Sequence, residues 1–390
     1  MTIPGQRVSE PEPRPVFDRC PGLLAPHQAE DGLLVRIRVP GGQTSAAALQ
    51  RLSAIAHTFG SDDLQLTSRA NLQIRGVAAA DVDLLADEVA AAGFLPSFSH
   101  ERVRNIVASP LSGLSGGLGD VRGLVAELDR RLCADHELAA LPGRFLFVLD
   151  DGRGDVASLS FDLAVQLNGP DDALILVGGS GSGFRVPTDR AVETVLGLAR
   201  RFVQLRAGLE RPPWHIRELD QGVLTPLARP VTPVLGATQP ALGAVGEAAS
   251  VQVPLSLLTP AQVAAVARAG GGPVVLTPWR GLVVAGAASR LNLLTAAGLL
   301  ADDGSAWSTV TACIGLPGCR RSAIDTRQLA TALVERLDTG SPGPEPVGRL
   351  HLVGCERRCG APNEPHLDLV APASVEQALE QITDRDGQVR

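Results

Sequence analysis

LQLTSRANLQIRGV, residues 64–77, is an apolar run, a Leu-Thr step, a polar turn carrying Arg69, and a second apolar run. Short apolar runs around a polar turn read as two strands of a hairpin. VVLTPWRGLVVAGA, residues 274–287, repeats the plan about 210 residues later, with Arg280 in the turn. Each copy follows an alternating strand (LLVRIRVPGG, 33–42; ASVQVPLSL, 249–257) and a helical segment (SAAALQRLSAIAHTFG, 45–60; TPAQVAAVARAGG, 259–271). Each is followed by a second helical segment (DVDLLADEVAAAGF, 81–94; SRLNLLTAAGLL, 289–300). The pattern is β-α-β-β-α twice, a ferredoxin-like plan.

The duplication extends further. VRNIVASPLSGL (103–114) and VTACIGLPGCRR (310–321) share spacing around Pro110 and Pro317, about 207 residues apart. Two matches in one order at nearly equal offset point to an internal repeat. The expected fold class is α+β, internally duplicated: two ferredoxin-like half-domains (18–98 and 248–300) and two larger α+β units (99–226 and 301–390), the last carrying the cysteines. LARPVTPVLGATQPALGAVGE (227–247), rich in Pro, Gly and Ala, reads as the connector.

Composition narrows the chemistry. The 390-residue chain has 45 % hydrophobic residues and a net charge of −7, which argues against a general nucleic-acid binder. No apolar run reaches membrane-spanning length. The N-terminal MTIPGQRVSEPEPRPVFDRC has no apolar core of a secretory signal, so a cytoplasmic protein with reduced thiols is expected. All 35 basic residues are arginine, and Tyr is absent. Lysine Schiff bases and P-loop lysines are therefore excluded, and every cationic contact is a planar guanidinium suited to carboxylates.

Four cysteines are grouped as C-x5-C (Cys313, Cys319) and C-x3-C (Cys355, Cys359). Their thiolates suit zinc or an iron–sulfur cluster. Zinc knuckles use tighter C-x2-C pairs, and the Gly-Leu-Pro-Gly stretch keeps side chains short near sulfur, which favours the cluster. Arg320, Arg321, Arg357 and Arg358 flank the pairs, either as counter-charges to an anionic cluster or as solvated helix-face residues. Cys20 and Cys133 have no partner spacing and read as ordinary thiols.

These residues resemble the sulfite and nitrite reductases, over residues 18–375 or so. The resemblance implies a [4Fe–4S] cluster on Cys313, Cys319, Cys355 and Cys359, with siroheme next to it in the reductases. LTSRANLQIRG and VRNIVASPLSG look like that family's two arginine motifs, placing Arg69 and Arg104 at anion contacts. One departure matters. Where the reductases carry a basic-x-basic pair, this chain reads GRFLFVLDD, with Arg144 first and Leu146 second. Within the superfamily, DRCPGLLAPHQAEDGLLVRIRVPGG, LPGRFLFVLDDGRGD, LTPWRGLVV, CIGLPGCRRSAIDTR and HLVGCERRCGAP look most like the precorrin-3B synthases of aerobic cobalamin biosynthesis. That likeness implies a tetrapyrrole substrate, precorrin-3A, an O2-dependent hydroxylation with γ-lactone formation, an external electron-donating reductase, and a mononuclear non-haem iron as a further candidate cofactor. The rival readings are a siroheme-dependent sulfite or nitrite reductase, and a zinc-stabilised binding protein without redox chemistry.

The substrate-contact candidates are Arg69, Arg104, Arg144 and Arg280. Arg104 has an ion pair with Glu101 or Asp120 as its alternative. Asn71 is expected to cap the Arg69 turn, and Trp279 to sit in the core. DDGRGD (150–155) reads as a hairpin turn rather than a metal loop. LILVGGSGSGFRV (174–186) has no lysine after its glycines and reads as a strand turn, not a phosphate cradle. Among the histidines, His351 and His366 flank the second cysteine pair and are proton-transfer or metal candidates.

Overall fold

The computed structural model describes residues 18, 20–178, 182–219, 229–236, 239–339, 348–362 and 365–384. The first half opens with β1 (His27–Ala29), β2 (Gly32–Ile37), β3 (Gln43–Ser45), α1 (Ala46–Phe59), β4 (Leu64–Leu66), β5 (Leu72–Val77) and α2 (Val82–Ala91). It continues through β6 (Ile106–Ala108), α3 (Arg122–Ala134), β7 (Phe147–Asp150), β8 (Leu163–Leu167), β9 (Asp172–Val177), β10 (Ser182–Pro187), α4 (Ala191–Ala207) and β11 (Arg229–Pro230). The second half repeats the plan with β12 (Gly243–Val245), β13 (Ala248–Gln252), β14 (Leu257–Leu258), α5 (Pro260–Ala269), β15 (Pro273–Leu276), β16 (Gly281–Val284) and α6 (Leu291–Thr295). Its last unit is β17 (Val310–Ala312), α7 (Thr326–Asp338), β18 (Arg349–Val353), β19 (His366–Val370) and α8 (Val375–Thr383).

The two ferredoxin-like sheets are interlocked. One has the order β1-β2-β5-β4-β14 and the other β12-β13-β16-β15-β3, so each half lends its short third strand to the edge of the other. Leu257 pairs with Gln65 and, symmetrically, Val274 with Thr44. A borrowed strand caps an otherwise open edge, which removes a site for non-native pairing. Helix α1 buries Leu49, Leu52, Ile55 and Ala56 on one stripe, after an N-cap in which Ser45 accepts from the Ala48 N–H. Helix α5 starts from a capping box between Thr259 and Gln262, with Pro260 in its first turn. One continuous core holds Leu49, Leu52, Leu72 and Ile74 of the first half with Val251, Val263, Val266 and Leu282 of the second.

The quoted hairpins are built alike. Thr67 Oγ1 accepts the Asn71 N–H at 3.1 Å, and Thr277 Oγ1 accepts the Gly281 N–H at 3.0 Å. Ala70 and Arg280 both take left-handed backbone, at φ 53° and 62°. Arg280 is therefore the structural equivalent of Ala70, and Arg69 corresponds to Trp279. The cap is the Thr67 hydroxyl; Asn71 instead accepts from Val39 N–H and donates to Asn105 Oδ1 at 3.1 Å. Trp279 is half-buried: it packs against a core group containing Val107, Val148 and Ala164 and also lines a cavity, so the core placement expected for it holds only in part.

In the two remaining sheets, β6, β7 and β8 run parallel, as do β17, β18 and β19. Helices α3 and α7 follow β6 and β17 in the same places. Two expectations need correction here. Because β7 and β8 are parallel, DDGRGD is no hairpin turn; it opens the long connection between them. The 227–247 stretch is more than a connector, since Arg229–Pro230 and Gly243–Val245 form edge strands. Residues 227, 228, 237 and 238 of that stretch, and 179–181 of LILVGGSGSGFRV, lie outside the described residues. Among the described residues no helix is long and apolar enough to cross a membrane.

Candidate functional site

Both cysteine loops leave the carboxyl edge of one parallel sheet. Cys313 follows β17 directly, and Cys355 and Cys359 follow β18. The adjacency of β17 and β18 brings two distant sequence segments together: the Cys313 N–H donates to the Leu352 carbonyl at 2.9 Å, and the Gly354 N–H donates to Cys313 Sγ at 3.4 Å. Only glycine fits at 354, because a Cβ there would lie 1.7 Å from Ser322 Oγ. Thr326, the first residue of α7, donates its hydroxyl to the Cys313 carbonyl at 2.7 Å. The Cys359 thiol is pushed up, first by burial and then by the neighbouring Cys355 and Cys313 sulfurs, with Cys319 adding to them. All four sulfurs therefore share one electrostatic field.

The donor set fits a cubane better than zinc. Among the described residues, only Asp150, Asp151 and Asp155 bring three ligand atoms within 4.8 Å of one another. Zinc-bound thiolates, at about 2.3 Å from the metal, would have sulfurs about 4 Å apart. No three of the four cysteine sulfurs are gathered within 4.8 Å of one another. The Gly354 N–H also aims at sulfur, the type of hydrogen bond that tunes iron–sulfur clusters.

Cys313, Cys319 and Cys359 line a cleft of about 500 Å³, whose first-half wall carries Arg36, Gln73, Arg75 and Ser68. Arg75 grips Asp31 with two bonds of 2.9 and 2.8 Å, and its Nη2 donates to the Gly318 carbonyl at 3.4 Å, tying that wall to the C-x5-C loop.

Behind the wall, arginines gather with few carboxylates. Arg36 Nη2 donates to Gln73 Oε1 at 2.9 Å, and Arg69 Nη1 to the Arg144 carbonyl at 2.9 Å. Arg36 Nη1 and Arg38 Nη2 each lie 3.6 Å from Cys20 Sγ. Arg36 Nε, Arg38 Nη1 and Arg144 Nε are buried without a hydrogen-bond partner among the described residues. Burial, then the Arg38 and Arg69 charges, lowers Arg36 to about 10, so it stays cationic at neutral pH. Arg69 is lowered too, chiefly by burial. Buried guanidinium nitrogens lacking partners call for an anion.

Of the four arginines singled out from the sequence, Arg69 and Arg144 join this group, and Arg144 also stacks 5.1 Å above the Trp214 ring. Arg280 lines the cleft from the other half, and its Nη2 donates to the Gly360 carbonyl beside Cys359 at 3.4 Å. Arg104 belongs elsewhere: it is 4 % exposed and its fork is taken by Asp129, with two bonds of 2.7 Å. Neither Glu101 nor Asp120 is its partner, and its place is structural. Arg321 and Arg357 line the cleft; Arg320 pairs with Glu30 at the surface and Arg358 with Asp368. Arg36 and Arg38 were missed in the sequence reading. Their signal is the period of two in VRIRV, which sends both guanidiniums to one face of β2 and its continuation.

The first half holds a matching pair of loops without cysteines. The Ser109 N–H donates to the Leu149 carbonyl as the Cys313 N–H does to Leu352, and the Asp151 N–H donates to Ser109 Oγ as the Gly354 N–H does to Cys313 Sγ. Ser109 thus stands where Cys313 stands, and Pro110 and Pro317 are not true counterparts. Carboxylates occupy this place. Asp150 accepts four backbone N–H groups, and Asp155, 3 % exposed, accepts from Ser109 Oγ at 2.6 Å. Burial pushes Asp155 up to about 7, with the Ser109 bond opposing and the Asp150 charge adding to the rise. The folded chain therefore holds this proton more tightly than the unfolded chain, so its stabilising share is full below about pH 4 and is lost as pH rises towards about 7. Asp155→Asn is expected to flatten part of the fall in melting temperature between about pH 5 and pH 8. Asp150, raised for the same reason, keeps the remainder. An unchanged slope in the variant, measured by thermal unfolding in a pH series, would contradict this.

Residues 26–92 match the family model of the nitrite/sulfite reductase ferredoxin-like half domain. A precorrin-3B synthase of Sinorhizobium sp. is 28 % identical over 91 % of this chain and 81 % of its own length. A ferredoxin–nitrite reductase of Synechococcus elongatus is 26 % identical over 86 % of this chain and 76 % of its own. Among solved structures, the NirA protein of Mycobacterium tuberculosis superposes with a TM-score of 0.60 at 22 % identity, covering 83 % of this chain and 68 % of that one. Residues 26–92 are thus a nitrite/sulfite reductase ferredoxin-like half domain, and the chain is similar along nearly its whole length to proteins of the sulfite/nitrite reductase superfamily and shares their fold.

Proposed function

We propose that the protein is a precorrin-3B synthase: an iron–sulfur oxidoreductase that hydroxylates precorrin-3A with O2 and closes a γ-lactone from a ring acetate. The observation that carries this reading is one cleft lined by the cysteine loops and by Arg36, the cleft-lining member of an arginine group whose buried nitrogens on Arg36, Arg38 and Arg144 lack hydrogen-bond partners among the described residues. Cys313, Cys319, Cys355 and Cys359 would hold a [4Fe–4S] cluster, which when bound supplies electrons one at a time. Arg36, Arg69 and Arg144 would clamp acetate and propionate arms, with Gln73 orienting Arg36. Arg280 would fix the cluster loop against the substrate side. In balance, one O2, two electrons and two protons give one oxygen atom to the macrocycle and one water. The electrons come from an external reductase.

The Sinorhizobium relative bears this name, and the chain departs from the reductases where oxyanion reduction needs a second cation. That position is Leu146, 3 % exposed and packed in the sheet core. With no lysine or tyrosine in the chain, repeated protonation of a bound oxyanion lacks its usual donors. The test is anaerobic reconstitution with iron and sulfide, then precorrin-3A, O2 and a chemical electron donor, followed by mass analysis. The expected product is heavier by one oxygen. An unmodified tetrapyrrole, with an intense haem-type spectrum and turnover of nitrite or sulfite, would instead select the siroheme reductase reading.

A further inference from the structure

The internal repeat supplies a control for every residue of the cluster-bearing sheet. Thr311, His351 and Asp368 form one row across the parallel strands β17, β18 and β19. The same row in the first half is Val107, Val148 and Ala164, all fully buried in an apolar core. An apolar row is thus sufficient for this sheet to fold. In the second half it is polar: its centre, His351, is at 0 % exposure, with Thr311 and Asp368 half-buried on either side. Burying an imidazole and a hydroxyl is unfavourable unless each is hydrogen-bonded.

The polar row has partners that the first half lacks. His351 Nε2 lies 3.2 Å from the Cys359 carbonyl, which can only accept, so the ring proton sits on Nε2. The Thr311 hydroxyl lies 2.9 Å from Nδ1 and 3.1 Å from the Leu350 carbonyl, two acceptors for its one proton. The His366 ring packs edge-on against His351 at 5.9 Å and 89°. Asp368 takes Arg358 at 3.0 Å, immediately before Cys359, where the backbone is left-handed at φ 50°. The row therefore holds two consecutive residues of the C-x3-C loop. No residue in the row is itself a cysteine ligand.

We infer that the Thr311–His351–Asp368 row is a positioning element that sets the C-x3-C loop for its metal cluster. The inference rests on the cluster reading above, and it concerns these side chains only. Its test rebuilds the apolar row of the first half. In a His351→Val, Thr311→Val chain, purified and reconstituted anaerobically, the fold should be at least as heat-stable as the wild type before cluster loading. Release of iron to a chelator should nevertheless be about tenfold faster, the low end of the effect of outer-shell partners, and the reduced cluster's electron paramagnetic resonance signal should broaden. His351→Gln, whose amide can still donate to the Cys359 carbonyl, should recover most of the difference. A wild type that retains its cluster beside a Val/Val variant with the same release rate and signal overturns the row's role alone. A wild type that takes up no labile sulfide overturns the cluster reading and this inference together.

Discussion

Serine at Cys313 is expected to give a folded, colourless protein. In the proposed cluster its sulfur would be one of four donors, and it is the one that receives the Gly354 N–H. A serine hydroxyl stays protonated at neutral pH and is a poor iron ligand, and its shorter bond withdraws the donor atom from the loop. Outer-shell changes alone cost 10–100-fold in metal affinity, so loss of a ligand should remove iron and labile sulfide almost completely. The fold should persist, because the core of this unit is Leu333, Val334, Leu350, Leu352 and Leu369, none of which needs the thiol. Iron and sulfide assays with far-UV circular dichroism check both halves of the expectation. A Cys313→Ser chain that keeps the wild-type cluster content would remove Cys313 from the ligand set.

The second large effect concerns the arginine wall. Arg36→Gln and Arg69→Gln should each weaken anaerobic binding of precorrin-3A by about 10–100-fold, since a hydrogen bond to a charged group is worth about 1.5–3 kcal/mol. The unliganded protein should move the other way. Arg36 is half-buried beside Arg38 and Arg69, and both desolvation and these like charges disfavour its cation. Neutralising it should therefore raise the melting temperature while binding falls, a trade expected where a site stores unfavourable charge for its ligand. Loss of stability without loss of affinity would mean that Arg36 and Arg69 are structural, as Arg104 is.

Much of this architecture was legible in the chain because it is written twice. Two Leu-Thr turns with flanking period-two strands and helical segments are enough to expect two β-α-β-β-α units. The exchange of β3 and β14 was not legible, because strands of three and two residues give no periodicity to read. DDGRGD misled for a related reason: its glycines and aspartates suit a tight turn, and whether the strands on either side run parallel is decided by the sheet, not by the turn. At the site, the cysteines announced themselves by spacing and Arg69 by its turn. Arg36 and Arg38 escaped because arginines alternating with Val and Ile look like the wet face of an amphipathic strand; a second unit covers that face, and only tertiary structure shows the cover. Arg104 was the opposite case, a motif arginine whose charge is satisfied by Asp129 one helix away.

Iron and acid-labile sulfide in the anaerobically purified wild-type chain test the central claim most directly. A cubane on Cys313, Cys319, Cys355 and Cys359 predicts about four irons and four sulfides per chain, with a broad visible shoulder that bleaches on reduction. Stoichiometric zinc with no labile sulfide would contradict it.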